Sequence, residues 1–132
     1  MNIPEDLLYT QEHEWIRVES EGDRQIGTVG ITDYAQSQLG DIVFVDVNTV
    51  GETLSQQEIF GTIEAVKTVA DLFMPASGKV LEFNDQLRDK PELINQDPYG
   101  EGWIIKVELT SPEELNSLLT AEQYKQLIGE EA

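Results

Sequence analysis

Short apolar runs alternate with polar residues along most of the chain, separated by glycine, proline and acidic residues. Runs rich in valine and isoleucine that alternate in this way are typical of β-strands. The run over 41–47 is apolar on both faces, which indicates a strand inside a sandwich or barrel. Polar residues predict a hairpin loop over 19–25 and a longer loop over 84–96. The predicted strands cover residues 12–18, 26–31, 41–47, 59–66, 69–74, 79–83 and 103–109.

Helical signals occur in two places. A short helix is predicted over 34–39, with a capping residue before it and a glycine after it. Two further short helices are predicted over about 112–128, because capping-box patterns begin at Ser111 and at Thr120. Many strands, one inserted helix and a helical C-terminal tail together predict a mainly β fold, either a sandwich or a flattened barrel.

A chain of 132 residues suits one domain over 1–132, with a core over about 9–110. Twenty-six acidic residues oppose eight basic ones, for a net charge of -18. This charge disfavours nucleic acid and anionic membrane surfaces as partners. The sequence contains no apolar run of membrane-spanning length. The start lacks the features of a signal or transit peptide, so we expect a bacterial-type cytoplasmic location, with a mature organellar form left open.

Candidate catalytic residues are scarce. The sequence has no cysteine and one histidine, His13, so zinc-thiolate sites and thiol nucleophiles are excluded. A lone histidine without a second ligand beside it predicts a structural role. No glycine-rich phosphate loop and no nucleophile elbow is present. We therefore expect a protein that is not an enzyme by itself and that holds no metal.

One lysine stands out by position. The strands predicted over 59–66 and 69–74 leave a short hairpin turn, and Lys67 lies in it. Residues at hairpin tips are exposed and tolerate attachment of other groups. Lys67 is one of five lysines in a strongly acidic chain. Position alone does not separate an attachment site from an ordinary solvated lysine, which is the commoner case.

Six blocks of sequence, one of them around Lys67, form a pattern that extends over nearly the whole chain. The block around the lysine is Glu64-Ala65-Val66-Lys67, followed by Asp71 and by the Pro-Ala-Ser-Gly of residues 75–78. The other blocks are the His-Glu-Trp of 13–15 and residues 27–36, 39–45, 93–95 and 98–104. In these six blocks, and in their order, the chain resembles the glycine cleavage system H proteins.

The resemblance implies a lipoyl carrier with the barrel-sandwich hybrid fold of lipoyl and biotinyl domains. Lipoate would be amide-linked to Lys67. The arm would take an aminomethyl group from glycine at a pyridoxal-phosphate-dependent glycine decarboxylase and deliver it to a tetrahydrofolate-dependent aminomethyltransferase. Dihydrolipoamide dehydrogenase would reoxidise it. Lipoyl-attaching enzymes are further expected partners, and we expect a monomer.

The resemblance also implies roles for several acids. Glu14 and Asp71 match positions that line a cleft for the loaded arm, where they could accept hydrogen bonds from its ammonium group. Tyr34 occupies a cleft position where some members have histidine, and a phenol is not a cation near neutral pH. Glu12 lies where other members have a smaller polar residue. Glu64 is expected to help attachment enzymes recognise the lysine.

Three alternatives stay open at this point. Other swinging-arm carriers are disfavoured, because biotin carriers flank the lysine with methionines and 2-oxoacid dehydrogenase domains place aspartate before it and alanine after it. Here the neighbours are Val66 and Thr68. An H-like protein that relays lipoyl groups to other carriers has the same sequence features. An unmodified acidic binding module is the third alternative.

Overall fold

The computed structural model describes residues 1–129, whose strands form two antiparallel sheets. The strands are β1 (Leu8–Tyr9), β2 (Glu14–Glu21), β3 (Arg24–Ile31), β4 (Ile42–Asp46), β5 (Thr53–Leu54), β6 (Ile59–Ala65), β7 (Val69–Phe73), β8 (Gly78–Phe83) and β9 (Ile105–Leu109). The helices are α1 (Asp33–Leu39), α2 (Gln86–Asp89), α3 (Leu93–Gln96), a 3₁₀ helix (Pro112–Ser117) and α4 (Ala121–Leu127).

The larger sheet has the strand order β1-β2-β3-β9-β8-β5, and the smaller one has the order β4-β6-β7. Every neighbouring pair is antiparallel. The predicted mainly β fold, with its inserted helix and helical tail, is confirmed, and the sheets of residues 1–129 do not close into a barrel. No helix in this part of the chain is long and apolar enough to cross a membrane.

The predicted hairpin loop over 19–25 is wrong. β2 continues to Glu21 and β3 begins at Arg24, so the turn is only Gly22 and Asp23. The side chains of residues 19–21 are exposed and polar, so the apolar pattern ends before the strand does. The backbone ladder needs no apolar side chains, because its hydrogen bonds join main-chain groups.

The prediction that 41–47 is buried on both faces is also wrong. Ile42 and Val45 are buried, whereas Val43 and Phe44 are about half exposed. The strand register shifts between Ile42 and Phe44, which pair with the consecutive residues Ala65 and Glu64 of β6. Val43 is therefore the extra residue of a β-bulge, which breaks the alternation and turns two adjacent apolar side chains outward.

The helical segments are partly as predicted. Thr32 caps α1 by accepting a hydrogen bond from the Ala35 amide, and Thr120 forms a full capping box with Gln123. The capping box expected at Ser111 is absent, and the segment that follows it is a 3₁₀ helix. Glu114, which was expected to complete that box, instead accepts hydrogen bonds from the backbone amide and the hydroxyl group of Ser77. The predicted loop over 84–96 contains the one-turn helices α2 and α3.

The main core lies where the inward faces of both sheets meet. Its fully buried members include Ile16, Val29, Phe60, Ile63 and Val107. A second cluster joins the N-terminal segment to α4, and its members are Ile3, Leu7, Tyr9, Trp15, Tyr99, Ala121 and Tyr124. The N-terminal segment and the tail therefore pack on each other beside the sheets and leave the β6–β7 hairpin uncovered.

Gly78 tests how tightly β8 packs on β9. A Cβ atom at this position would overlap the Val107 side chain and the carbonyl oxygen of Glu108, and that backbone oxygen cannot move without distorting β9. We expect Gly78→Ala to lower the free energy of unfolding by about 1–3 kcal/mol in urea denaturation. Lys79→Ala, at the exposed neighbouring position, is the control. Equal stability of the two variants would contradict the close packing.

Candidate functional site

Lys67 lies at the tip of the hairpin formed by β6 and β7. The connecting loop has three residues, and the Ala65 amide donates a hydrogen bond across its base to the Thr68 carbonyl oxygen at 2.8 Å. The side chains of Val66, Lys67 and Thr68 are exposed. The structure thus places the lysine at an exposed tip, where the sequence predicts it.

The hairpin loop contacts the segment between α1 and β4. The Val66 amide donates to the Asp41 carbonyl oxygen at 3.1 Å. Gly40 ends α1 with a φ of 83°, a conformation that favours glycine. A Cβ atom built on Gly40 would lie 3.6 Å from Lys67 Cε and 3.9 Å from its Nζ. The lysine therefore extends past the C-terminal end of α1, whose partial negative charge favours an ammonium group.

A cleft of about 250 Å³ lies beside the hairpin, between β7, α1 and the start of β2. All four residues expected to line a cleft do so, namely Glu12, Glu14, Tyr34 and Asp71. The other lining residues are His13, Ile31, Ala35, Gln38, Leu39, Ile63, Ala70 and Leu72. The cleft thus combines an apolar wall with several carboxylates. Glu64 is not among these residues, because it faces outward from the smaller sheet.

Glu14 is a buried carboxyl group with 1% exposure. Its Oε1 accepts a hydrogen bond from the Thr10 hydroxyl at 2.7 Å, and its Oε2 accepts one from the Phe73 amide at 3.2 Å. Burial raises the pKa of Glu14 from 4.5 to about 7; the two hydrogen bonds oppose this rise, whereas the nearby Glu12 charge adds to it. Glu14 therefore changes charge near neutral pH.

Glu12 is half-buried and lines the same cleft. Its Oε1 is buried without a hydrogen-bond partner among residues 1–129. A buried acceptor of this kind is costly until a donor reaches it. Its charge also helps to raise the pKa of Glu14. Glu12 therefore makes the cleft more receptive to a cationic hydrogen-bond donor.

His13 lies between the cleft and the second core cluster. Its Nδ1 is 2.8 Å from the Tyr124 hydroxyl, which is in turn 2.8 Å from the Thr32 hydroxyl. Its ring lies 5.1 Å from the Tyr34 ring, centre to centre. Burial lowers the pKa of His13, which favours the neutral imidazole. These contacts agree with the structural role predicted for this histidine.

Comparisons with known proteins identify the family. The family model for the glycine cleavage H-protein matches residues 7–131. The chain belongs to the glycine cleavage H-protein family. The glycine cleavage system H protein of Bacteroides thetaiotaomicron is 60% identical over 129 residues, which cover 98% of this chain and 99% of that protein. That of Symbiobacterium thermophilum is 61% identical over 123 residues, 93% of each chain.

A solved structure extends this similarity to three dimensions. The crystal structure of a glycine cleavage system H protein from Mycobacterium marinum superposes with a TM-score of 0.85 at 43% identity, covering 96% of this chain and 99% of that one. Glycine cleavage H-proteins are the lipoyl carrier subunits of the glycine cleavage system, so the fold and the family agree with the expected class of function.

The geometry of this H-family chain fits a lipoyl group. The exposed amine of Lys67 is free to form an amide at the tip. β7 leads from the tip along the cleft, and Val69 to Phe73 is four residue steps, about 13 Å of extended strand. The Phe73 amide is the group that binds Glu14. A long acyl arm attached to Lys67 would therefore find both an apolar wall and a buried carboxyl group along β7.

Sequence reasoning missed the apolar wall of the cleft and the place of His13 in it. Leu39, Ile63 and Leu72 line this wall, and the periodicity of apolar residues is the same whether they face packed side chains or a cavity. His13 has a φ of 74°, which is unusual for a residue other than glycine. That conformation belongs to the turn before β2, where the His13 amide donates a hydrogen bond to the Thr10 carbonyl oxygen at 3.2 Å, and the apolar pattern does not predict it.

The raised pKa of Glu14 makes stability depend on pH. The folded form binds the proton more tightly, so the stabilisation is complete below pH 4.5 and is lost as the pH rises through 7. We expect Glu14→Gln to gain up to about 3 kcal/mol relative to the parent chain between pH 4.5 and pH 8 in urea denaturation. Glu52→Gln, at an exposed acid, is the control. A Glu14→Gln difference that stays constant with pH would contradict this assignment.

Proposed function

We propose that the chain carries lipoate in amide linkage to Lys67 and works as the non-catalytic carrier subunit of glycine cleavage. The observation that carries this proposal is one exposed lysine at a hairpin tip, beside an acidic cleft, in a chain of the H-protein family. When bound, a lipoyl group supplies a disulfide that accepts the aminomethyl group of glycine and is afterwards restored from the dithiol.

Attachment uses the neutral amine of Lys67. The nitrogen attacks the carbonyl carbon of an activated lipoyl donor, either a phosphate mixed anhydride or a thioester. The new C–N bond replaces the bond to the activating group, which leaves, and the nitrogen loses one proton. A lysine on a three-residue loop meets the first requirement of this chemistry, because an attaching enzyme can approach it from several sides.

The hairpin then serves as a tether. Attachment to one residue keeps the reactive end of the arm within a short radius, which raises its effective concentration at each partner's active site. The partners in this proposal are glycine decarboxylase, the aminomethyltransferase and dihydrolipoamide dehydrogenase, together with lipoyl-attaching enzymes. The curated relatives described above are bacterial, which supports a bacterial cytoplasm as the location. We expect the carrier to be a monomer.

The cleft shelters the cationic end of the loaded arm. The apolar wall would limit the access of water, and the carboxylates of Glu12, Glu14 and Asp71, which line the cleft, would accept hydrogen bonds from an ammonium group. A cation beside Glu14 stabilises its ionised form and so releases its proton near neutral pH. Tyr34 packs beside His13 at the cleft and supplies no positive charge there that would repel the ammonium.

Lys67→Arg tests the attachment site. The arginine keeps the charge but offers no amine of comparable nucleophilicity, so we expect no lipoyl group to be added. The measurement is intact-protein mass after incubation with a lipoate-attaching enzyme, followed by peptide mapping. Lys79→Arg, on the exposed face of β8, is the matched control and should be modified like the parent chain. An unmodified parent chain, or a lipoyl group on Lys67→Arg, would contradict the proposal.

Glu14→Gln and Asp71→Asn test the shelter. Both remove a negative charge from the cleft while preserving side-chain size, so the loaded amine should be lost about tenfold faster than from the parent. The lifetime is followed by mass spectrometry of the loaded carrier above pH 7, where Glu14 is ionised. Glu58→Gln, an exposed acid away from the cleft, is the control. Unchanged lifetimes in both cleft variants would exclude this role.

A further inference from the structure

Half of the large apolar side chains exposed in residues 1–129 surround the lysine tip. They are Val43 at 46% exposure, Phe44 at 52%, Val66 at 76% and Val69 at 62%, and we call this group the tip patch. The others are Met1, Val50, Ile59 and Leu127. Apolar side chains gathered on a surface, with polar residues around them, mark interaction sites.

The register of the smaller sheet builds this patch. Phe44 pairs with Glu64, and Glu64 pairs with Val69, so the three side chains form one row across the outer face. The β-bulge in β4 turns Val43 to the same exposed side. The row lies at the end of the sheet next to the hairpin loop, where Val66 adjoins Lys67.

We propose that the tip patch is the docking surface for the enzyme that attaches lipoate to Lys67. This inference rests on the proposed function and adds the identity of a partner surface. The attaching enzyme would contact the tip patch with an apolar surface that is surrounded by lysine or arginine side chains. Glu64 lies within the patch and Asp41 is exposed beside it, in a chain of net charge -18. The charges therefore favour a basic rim.

The chemistry of attachment selects this partner over the others. To form the amide, the attaching enzyme must bring its acyl carbon within bonding distance of Lys67 Nζ, so its surface must cover the residues around the tip. The enzymes that use the finished arm act on its far end and can remain further from the lysine. Of the partner enzymes, the attaching enzyme is therefore the one that has to contact the residues around the lysine.

Threonine substitutions test the proposal, because threonine suits β-strands and replaces apolar surface with a hydroxyl group. The variants are Phe44→Thr and Val69→Thr, and the matched controls are Ile59→Thr and Val50→Thr. Ile59 is at the opposite end of β6, six residue steps or about 20 Å from Ala65. All four original side chains are similarly exposed. Thermal unfolding checks that each variant folds.

The readout is transfer of lipoate by a purified attaching enzyme to the unmodified chain, followed by intact mass. We expect KM to rise about tenfold or more for each patch variant, with kcat within about twofold and both controls unchanged. Glu64→Gln should raise KM and weaken its dependence on salt. Patch variants that match the controls while the parent is fully modified would overturn the inference and leave the carrier function intact. A parent that is never modified would overturn both.

Two further outcomes identify another occupant. If the patch variants are lipoylated normally but the loaded forms react slowly with the glycine-cleavage enzymes, the surface belongs to those enzymes. If sedimentation shows that the parent self-associates and Phe44→Thr does not, the surface joins two copies of this chain. Either result would contradict docking of the attaching enzyme.

Discussion

Ile63, Ala65 and Leu72 pack the smaller sheet onto the larger one, and the position of Lys67 depends on this contact. Because side chains alternate along a strand, burying these residues forces the intervening ones outward. Glu64 and Val69 are thereby exposed at the last pair before the loop. The same packing sets β7 beside the start of β2 and so forms the cleft. The tip, the cleft and the tip patch are three consequences of one sheet-to-sheet contact.

The cleft combines features that are unfavourable for folding. Glu14 is buried and Glu12 leaves a buried oxygen without a partner, so their charges repel each other in a poorly solvated place. Such an arrangement costs stability unless a cation or a proton enters. An ammonium group on a tethered arm would supply both charge compensation and hydrogen-bond donors. The energetic cost in the unloaded carrier is thus a physical reason for the cleft to prefer a cationic end group.

The sequence predicts the hairpin, the lysine and the inserted helix well, because these depend on local period and on capping residues such as Thr32. The sequence does not predict the features that tertiary contacts determine. The continuous apolar run over 41–47 predicted burial on both faces, but the bulge at Val43 turns two of its side chains outward. Glu114 accepts hydrogen bonds from Ser77 instead of completing a helix cap at Ser111. The cleft acids came from family resemblance, whereas the raised pKa of Glu14 requires knowing that Phe73 and Thr10 enclose it.

The central claim is that this chain carries a one-carbon unit of glycine on an arm attached to Lys67. Release of labelled carbon dioxide from carboxyl-labelled glycine tests it most directly, with purified glycine decarboxylase, aminomethyltransferase, tetrahydrofolate and dihydrolipoamide dehydrogenase. The account predicts sustained release with the lipoylated chain, and none above background with the unmodified chain or Lys67→Arg. A lipoylated chain that supports no release would contradict the claim and favour a lipoyl relay. Equal release with Lys67→Arg would exclude Lys67 as the carrier residue.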